Sequence, residues 1–191
     1  MPLLQRQESS FGTLAADARV RAIGEIGLDY YWKDACPKEE QTAAFRAQMK
    51  LAQELRMPVI IHDREAHADC LEIVREFPDV TGVFHCYSGS AETAKELIDR
   101  GYYLSFTGVI TFKNEKKSAT VIPSVPLERI MIETDSPYLS PVPYRGKRNS
   151  SRYVHRVAET IAALRGMSVT EIESITTQNA KRFFGIADGT E

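Results

Sequence analysis

A parallel α/β fold is what this 191-residue sequence predicts, on three observations. Short, almost wholly apolar runs recur along the chain, the mark of strands buried on both faces. Most of these runs are followed by a segment with helical periodicity, which is the pattern of βα units. Four of the five runs end on a side chain able to ligate a metal ion, namely Glu25, His62, His85 and Asp135. Parallel strands linked by right-handed crossovers bring their carboxyl ends to one face, so residues remote in sequence are expected to converge there.

Composition bounds the rest. The chain is 43% hydrophobic and 26% charged, which suits a soluble globular domain with a substantial core. Its net charge of -2 provides no global field to hold a polyanion, so nucleic-acid binding would need a local basic patch or a metal. Three cysteines in no metal-finger spacing fit a reduced, cytoplasmic protein. No 18-residue apolar stretch occurs and the first twenty residues carry no leader pattern, which argues against a membrane. A single domain over residues 1–191 is expected.

The elements follow in order. Residues 1–10 are polar, and residues 11–18 suit a short helix. The first strand runs over residues 20–24 and ends at Glu25. Pro37 opens a helix carrying Phe45, Met49, Ala52 and Leu55 at helical spacing. Residues 58–61 form a strand ending on His62, and a helix over 66–77 is expected to turn Leu71, Val74 and Phe77 inward. Residues 80–84 form the strand ending on His85. Ser90 is a fitting N-cap, with Glu92 in the first turn, Leu97 and Ile98 as core and Gly101 as the stop. Strands are expected over 102–106 and 129–132. A helix over 152–164, with Val154, Val157 and Ile161 inward, ends at Gly166. Ser168 and Glu171 make a capping box for a last helix that packs Ile172 and Ile175. Phe183 and Phe184 close the core.

The candidate site centres on Ile132-Glu-Thr-Asp135. A buried strand has no structural reason to run into carboxylates, because burying one is costly unless it is paired or metal-bound. A lone strand-end Asp would read as a turn cap, and a lone His62 or His85 as a hydrogen-bonded core histidine. Four such groups at equivalent places favour a metal site, and imidazole with carboxylate suits zinc, manganese or iron. His67 and His155 fall on helices and read as surface residues. Arg145, Lys147 and Arg148 make a basic cluster ten to thirteen residues past Asp135, placed to hold phosphate. Arg64 is a further phosphate candidate. Tyr30, Tyr31 and Trp32 could stack on bases of a single strand, though aromatics there are as often packed. Gly89 to Ala91 reads weakly as a helix-entry anion site.

These motifs, in order, are Ala22-Ile-Gly-Glu-Ile-Gly-Leu-Asp-Tyr-Tyr31, Val59-Ile-Ile-His-Asp-Arg64, Phe84-His-Cys-Tyr-Ser-Gly89, Ser105-Phe-Thr-Gly108, Ile132-Glu-Thr-Asp-Ser-Pro-Tyr-Leu139 and Arg145-Gly-Lys-Arg-Asn149. They resemble the signatures of the TatD family of metal-dependent deoxyribonucleases, and Thr177-Gln-Asn-Ala180 fits as well. The resemblance implies a TIM-barrel-type hydrolase that cuts DNA phosphodiester bonds, at single strands or ends, with divalent Mg, Mn or Zn. It implies that Glu25 bridges two metals, that His62 and His85 bind the second, and that Asp135 ends the last barrel strand. Glu25 and Asp135 are then the catalytic residues, with Asp135 a candidate general base.

The sequence departs from that pattern in two places. No histidine precedes His62, whereas the family opens on a His-x-His pair that holds the first metal. The first strand here therefore corresponds to roughly the fourth of eight, leaving about five of eight βα units, so that on the order of 70 of ~250 barrel residues are unmatched. The expectation is one metal rather than two, weak or no nuclease activity by the chain alone, and self-association through an open sheet edge. Second, Arg148-Asn-Ser-Ser151 replaces the family's usual Arg-Asn-Glu-Pro. Two alternatives stand beside the nuclease: a small-molecule amide or ester hydrolase of the same superfamily, and a non-catalytic remnant that binds metal or a partner.

Overall fold

The computed structural model describes residues 14–15, 17–32, 34 and 36–187. Of the expected helix over 11–18, residues 14, 15, 17 and 18 are among them, and of these Leu14 and Ala15 are helical. The chain divides into two compact units, Met1–Val83 and Phe84–Glu191. Among the described residues there are five strands, as expected, in an α/β arrangement whose order follows the chain. No helix among them is long and apolar enough to cross a membrane.

The first unit is built on two long parallel strands. β1 (Ile23–Asp29) pairs with β2 (Val59–Arg64), and β2 is followed in sheet order by β3 (Gly82–Phe84), which begins in this unit. Both strands overrun their expected ends: β1 continues four residues beyond Glu25, and β2 two beyond His62. The apolar runs stop where the sequence suggests, but the backbone ladder does not. Ile26 and Leu28 keep β1 anchored in the core, so the intervening residues stay in strand geometry although they are not apolar.

α1 (Lys38–Leu55) starts at Pro37, with Glu39 and Glu40 in its first turn facing the positive end of the helix dipole. Phe45, Met49 and Ala52 are fully buried at helical spacing. The helix stops where Arg56 turns left-handed, at φ 53°. α2 (His67–Glu76) buries Cys70, Ile73 and Val74. Of the expected inward residues Leu71, Val74 and Phe77, Val74 is buried while Leu71 and Phe77 are half-buried, and Cys70 and Ile73 take the other inward positions. Inward positions at i, i+3 and i+4 make the tighter apolar stripe. Arg46 grips Glu76 through both carboxylate oxygens on the surface between the two helices, an exposed pair contributing at most about 1 kcal/mol.

In the second unit, the last residue of β3 is followed in sheet order by β4 (Tyr103–Phe106) and β5 (Ile130–Ile132). β4 and β5 are parallel, in register from Leu104 opposite Ile130 to Phe106 opposite Ile132. α3 (Ala91–Asp99) is capped as expected, the Ser90 hydroxyl accepting from the Thr93 N–H at 3.2 Å. α5 (His155–Arg165) ends at left-handed Gly166, and α6 (Val169–Phe184) opens on the full Ser168–Glu171 capping box. Between β4 and β5 lies α4 (Ser118–Ser124), which contains Pro123 and shows no extended helical period, so the sequence did not announce it. Asn179 on α6 reaches β5, its amide donating to the carbonyls of Leu127 and Ile130 at 2.7 Å each. That link accounts physically for an asparagine buried in an otherwise apolar interface.

Candidate metal centre

Three residues of β1 at alternate positions, Glu25, Gly27 and Asp29, form the floor of the site in the first unit. Alternate strand residues share a face, and on the other face Ile26 and Leu28 are buried. Between Ile23, opposite Val59, and Ile26, opposite Ile61, two residues of β1 stand against one of β2. This is a β-bulge, a device that re-aims the inserted side chain, and it sits at Glu25. Gly27 then lies opposite His62. A Cβ at Gly27 would collide with the His62 carbonyl, and the backbone there has φ 130°, so only glycine fits.

The His62 backbone takes the space that Gly27 leaves open, and the His62 imidazole stands beside Glu25 and Asp29. Its Nδ1 lies 2.8 Å from Glu25 Oε1 and its Nε2 lies 3.0 Å from Asp29 Oδ2. One carboxylate thus meets each ring nitrogen. Asp29 can hold the proton on Nε2, which leaves the Nδ1 lone pair directed toward Glu25. Carboxylate and imidazole are both metal-ligand types, and these two lie close enough to be drawn onto one divalent ion. Asp29 lies within the Ala22–Tyr31 motif, and the acid–glycine–acid alternation of Glu25, Gly27 and Asp29 is the sequence signal that marks it.

The opposite face of β2 carries a different pair. Asp63 is nearly buried and its Oδ2 lies 2.7 Å from Nδ1 of His67, the first residue of α2. His67 is thus tied down locally rather than free on the surface. Arg64 ends β2 with its guanidinium 3.9 Å from the Tyr31 ring centroid. Tyr30 is packed, its hydroxyl donating to Asp69 at 2.6 Å, whereas Tyr31 and Trp32 are exposed.

In the second unit His85 directly follows β3, as expected. Its Nδ1 lies 3.4 Å from Glu133 Oε2. The other oxygen of Glu133 accepts from the Cys86 N–H at 2.8 Å and from the Ser105 hydroxyl. Burial raises the Glu133 pKa, but His85, Ser105 and the Cys86 N–H together outweigh it and hold the carboxyl below its ordinary value. Glu133 is therefore an ionised brace for His85, a role the sequence reading left unassigned.

Asp135 lies three residues past β5 in left-handed backbone at φ 55°. It opens a loop closed by Asn149, whose amide donates to the carbonyls of Thr134 at 2.7 Å and Tyr138 at 2.6 Å. The Asn149 N–H donates to the Pro137 carbonyl at 3.0 Å, and the Ser140 hydroxyl donates to the Lys147 carbonyl at 2.6 Å. The loop is thus built as a unit, with Arg145, Lys147 and Arg148 exposed along it. Arg145 lies over the Phe112 ring at 3.6 Å, which leaves Lys147 and Arg148 as its projecting cations.

Comparison with known proteins agrees with this geometry. The family model described as TatD related DNase matches residues 4–185. A Bacillus subtilis protein, an uncharacterized metal-dependent hydrolase named YabD, is 51% identical over 91% of this chain and 68% of its own length. A Klebsiella pneumoniae protein named 3'-5' ssDNA/RNA exonuclease TatD is 36% identical over 91% of this chain and 68% of its own. The crystal structure of YjjV, a TatD homologue from Escherichia coli, superposes with a TM-score of 0.85 at 29% identity, covering 96% of this chain and 70% of that one. The chain spans about two thirds of the length of the relatives it matches. With the motifs, the parallel strands and the paired carboxylate and imidazole all in agreement, the chain belongs to the TatD related DNase family of metal-dependent hydrolases.

Proposed function

We propose that residues 1–191 work as one hydrolase domain, in the cytoplasm, on phosphodiester bonds of DNA at single strands or ends. Glu25, His62 and His85 form the proposed metal set, each offering one ligand atom, and they take one divalent ion, Mg, Mn or Zn. The observation that carries this reading is the His62 imidazole held at 2.8 Å from Glu25 and braced by Asp29 at 3.0 Å. A divalent ion bound there would polarise a phosphate oxygen and lower the pKa of a bound water. The remaining work falls to the chain. Asp29 and Glu133 orient the two imidazoles. Asp135 accepts the proton of the attacking water. Lys147, Arg148 and Arg64 position phosphate groups, and the exonuclease name of the Klebsiella relative supports a nucleic-acid substrate. Among the described residues Cys36, Cys70 and Cys86 form no disulfide, in keeping with a reducing compartment.

The test is cleavage of end-labelled single-stranded and duplex DNA with Mg²⁺, Mn²⁺, Zn²⁺ or a chelator. Metal-dependent shortening of the single strand is expected, even if slow. Cleavage that persists in chelator, or none with any of the three metals, would reject the reading. The brace makes a separate prediction: Asp29→Asn should weaken metal binding by about 10- to 100-fold, as losing the partner of a ligating imidazole does. Chelator competition measures it, and unchanged affinity would show that Asp29 does not set the His62 tautomer.

A further inference from the structure

Beyond the proposed metal set, the first unit displays an aromatic cluster to which the catalytic scheme gives no task. Trp32 and Tyr31 are 61% and 47% exposed, and their rings meet edge to face with centroids 5.0 Å apart. The Arg64 guanidinium lies 3.9 Å from the Tyr31 ring centroid and 5.7 Å from that of Trp32. Among the described residues, these rings rather than a carboxylate hold Arg64. The result is a projecting platform of two π faces and a cation, built from side chains with little rotamer freedom to lose on binding.

The platform is wired to the site. Tyr30 donates its N–H to the Arg64 carbonyl at 2.9 Å, which closes the turn after β1 onto the end of β2. Tyr31 donates its N–H to Asp29 Oδ1 at 3.0 Å, while Asp29 Oδ2 meets His62 Nε2 at 3.0 Å. One carboxylate therefore fixes both the imidazole and the aromatic turn. In register, Gly27 pairs with His62 and Asp29 with Arg64, so the platform begins two residues, roughly 7 Å, beyond His62 along the strands.

We propose that Tyr31, Trp32 and Arg64 form a base-stacking subsite for a nucleotide next to the scissile phosphate of a single-stranded nucleic acid. The subsite rests on the phosphodiester reading above and specifies its substrate: a strand whose base faces are free. Every base has a π face, so stacking is tolerant of sequence, and a duplex hides those faces. It also provides affinity that a chain of net charge -2 does not gain from a global field.

Trp32 is the single tryptophan of the chain, so its emission reports the platform directly. In chelator, where hydrolysis does not interfere, the full chain is titrated with a short single-stranded oligodeoxynucleotide and with an abasic strand of equal length. Saturable quenching by the base-bearing strand is expected, with affinity for the abasic strand weaker by about 5- to 100-fold. Anisotropy of a labelled strand should show a comparable loss in Trp32→Ala and Tyr31→Ala and retention of most affinity in Trp32→Phe. Both side chains are exposed, so the fold should survive truncation. Equal affinity for the abasic strand, or no quenching at saturating strand, overturns the subsite. Metal-dependent cleavage with no stacking would leave the phosphodiester reading standing, whereas stacking with no cleavage in any metal would sink that reading and keep the subsite.

Discussion

Replacing His62 with alanine should lower metal-dependent hydrolysis by on the order of a thousandfold or more. Metal-based charge stabilisation is worth several kcal/mol, and each 1.4 kcal/mol is a factor of ten in rate. The His62 imidazole stands between two carboxylates, at 2.8 and 3.0 Å. Its removal takes away a ligand and also leaves Glu25 and Asp29 with no imidazole between them. The side chain is partly exposed, so the loss should appear in activity and metal affinity rather than in unfolding. Steady-state cleavage rates with a thermal melt as control measure this. A variant that keeps a tenth of the activity would show that His62 is not a ligand.

Glu133→Ala should cost about 3–5 kcal/mol of stability, the loss typical of removing one member of a buried charged network. The carboxylate receives the Cys86 N–H at 2.8 Å and the Ser105 hydroxyl, and braces His85 at 3.4 Å. Truncation leaves these donors buried and unsatisfied. Glu133→Gln keeps the volume and one acceptor oxygen, so it should lose less stability while still loosening His85. Denaturant unfolding separates the two variants. A cost below about 1 kcal/mol for the alanine form would mean that water replaces the lost oxygens and that Glu133 is not the brace described.

Much of the scaffold was legible because its signals are local. Ser90, Ser168 with Glu171, and Gly166 announce helix ends by chemistry that neighbouring residues complete, and all three serve as expected. The apolar runs located all five strands, and Glu25, His62 and His85 stood out because acids and imidazoles are out of place beside such runs. What stayed hidden depends on partners distant in sequence. Nothing in Gly24-Glu25 signals a bulge, because the extra residue exists only relative to β2. The extension of β1 to Asp29 passes through Gly27, which weakens any strand pattern yet is the residue that makes room for His62. Glu133 looked like one of two equivalent acids until the structure placed three donors around it. Asn149 and Asn179 act through amides that reach carbonyls 11 to 52 residues away, and no periodicity betrays such a link. α4 is short and carries a proline, so propensity argued against it and packing overrode that preference.

One carboxylate and two imidazoles, Glu25, His62 and His85, make up the proposed metal set. Elemental analysis of the chain, loaded with Zn²⁺ or Mn²⁺ and freed of excess, tests that directly when run beside the His62→Ala/His85→Ala double variant. About one ion per wild-type chain and almost none in the double variant is the predicted result. A full equivalent retained by the variant would place the metal elsewhere in the chain and contradict the assignment.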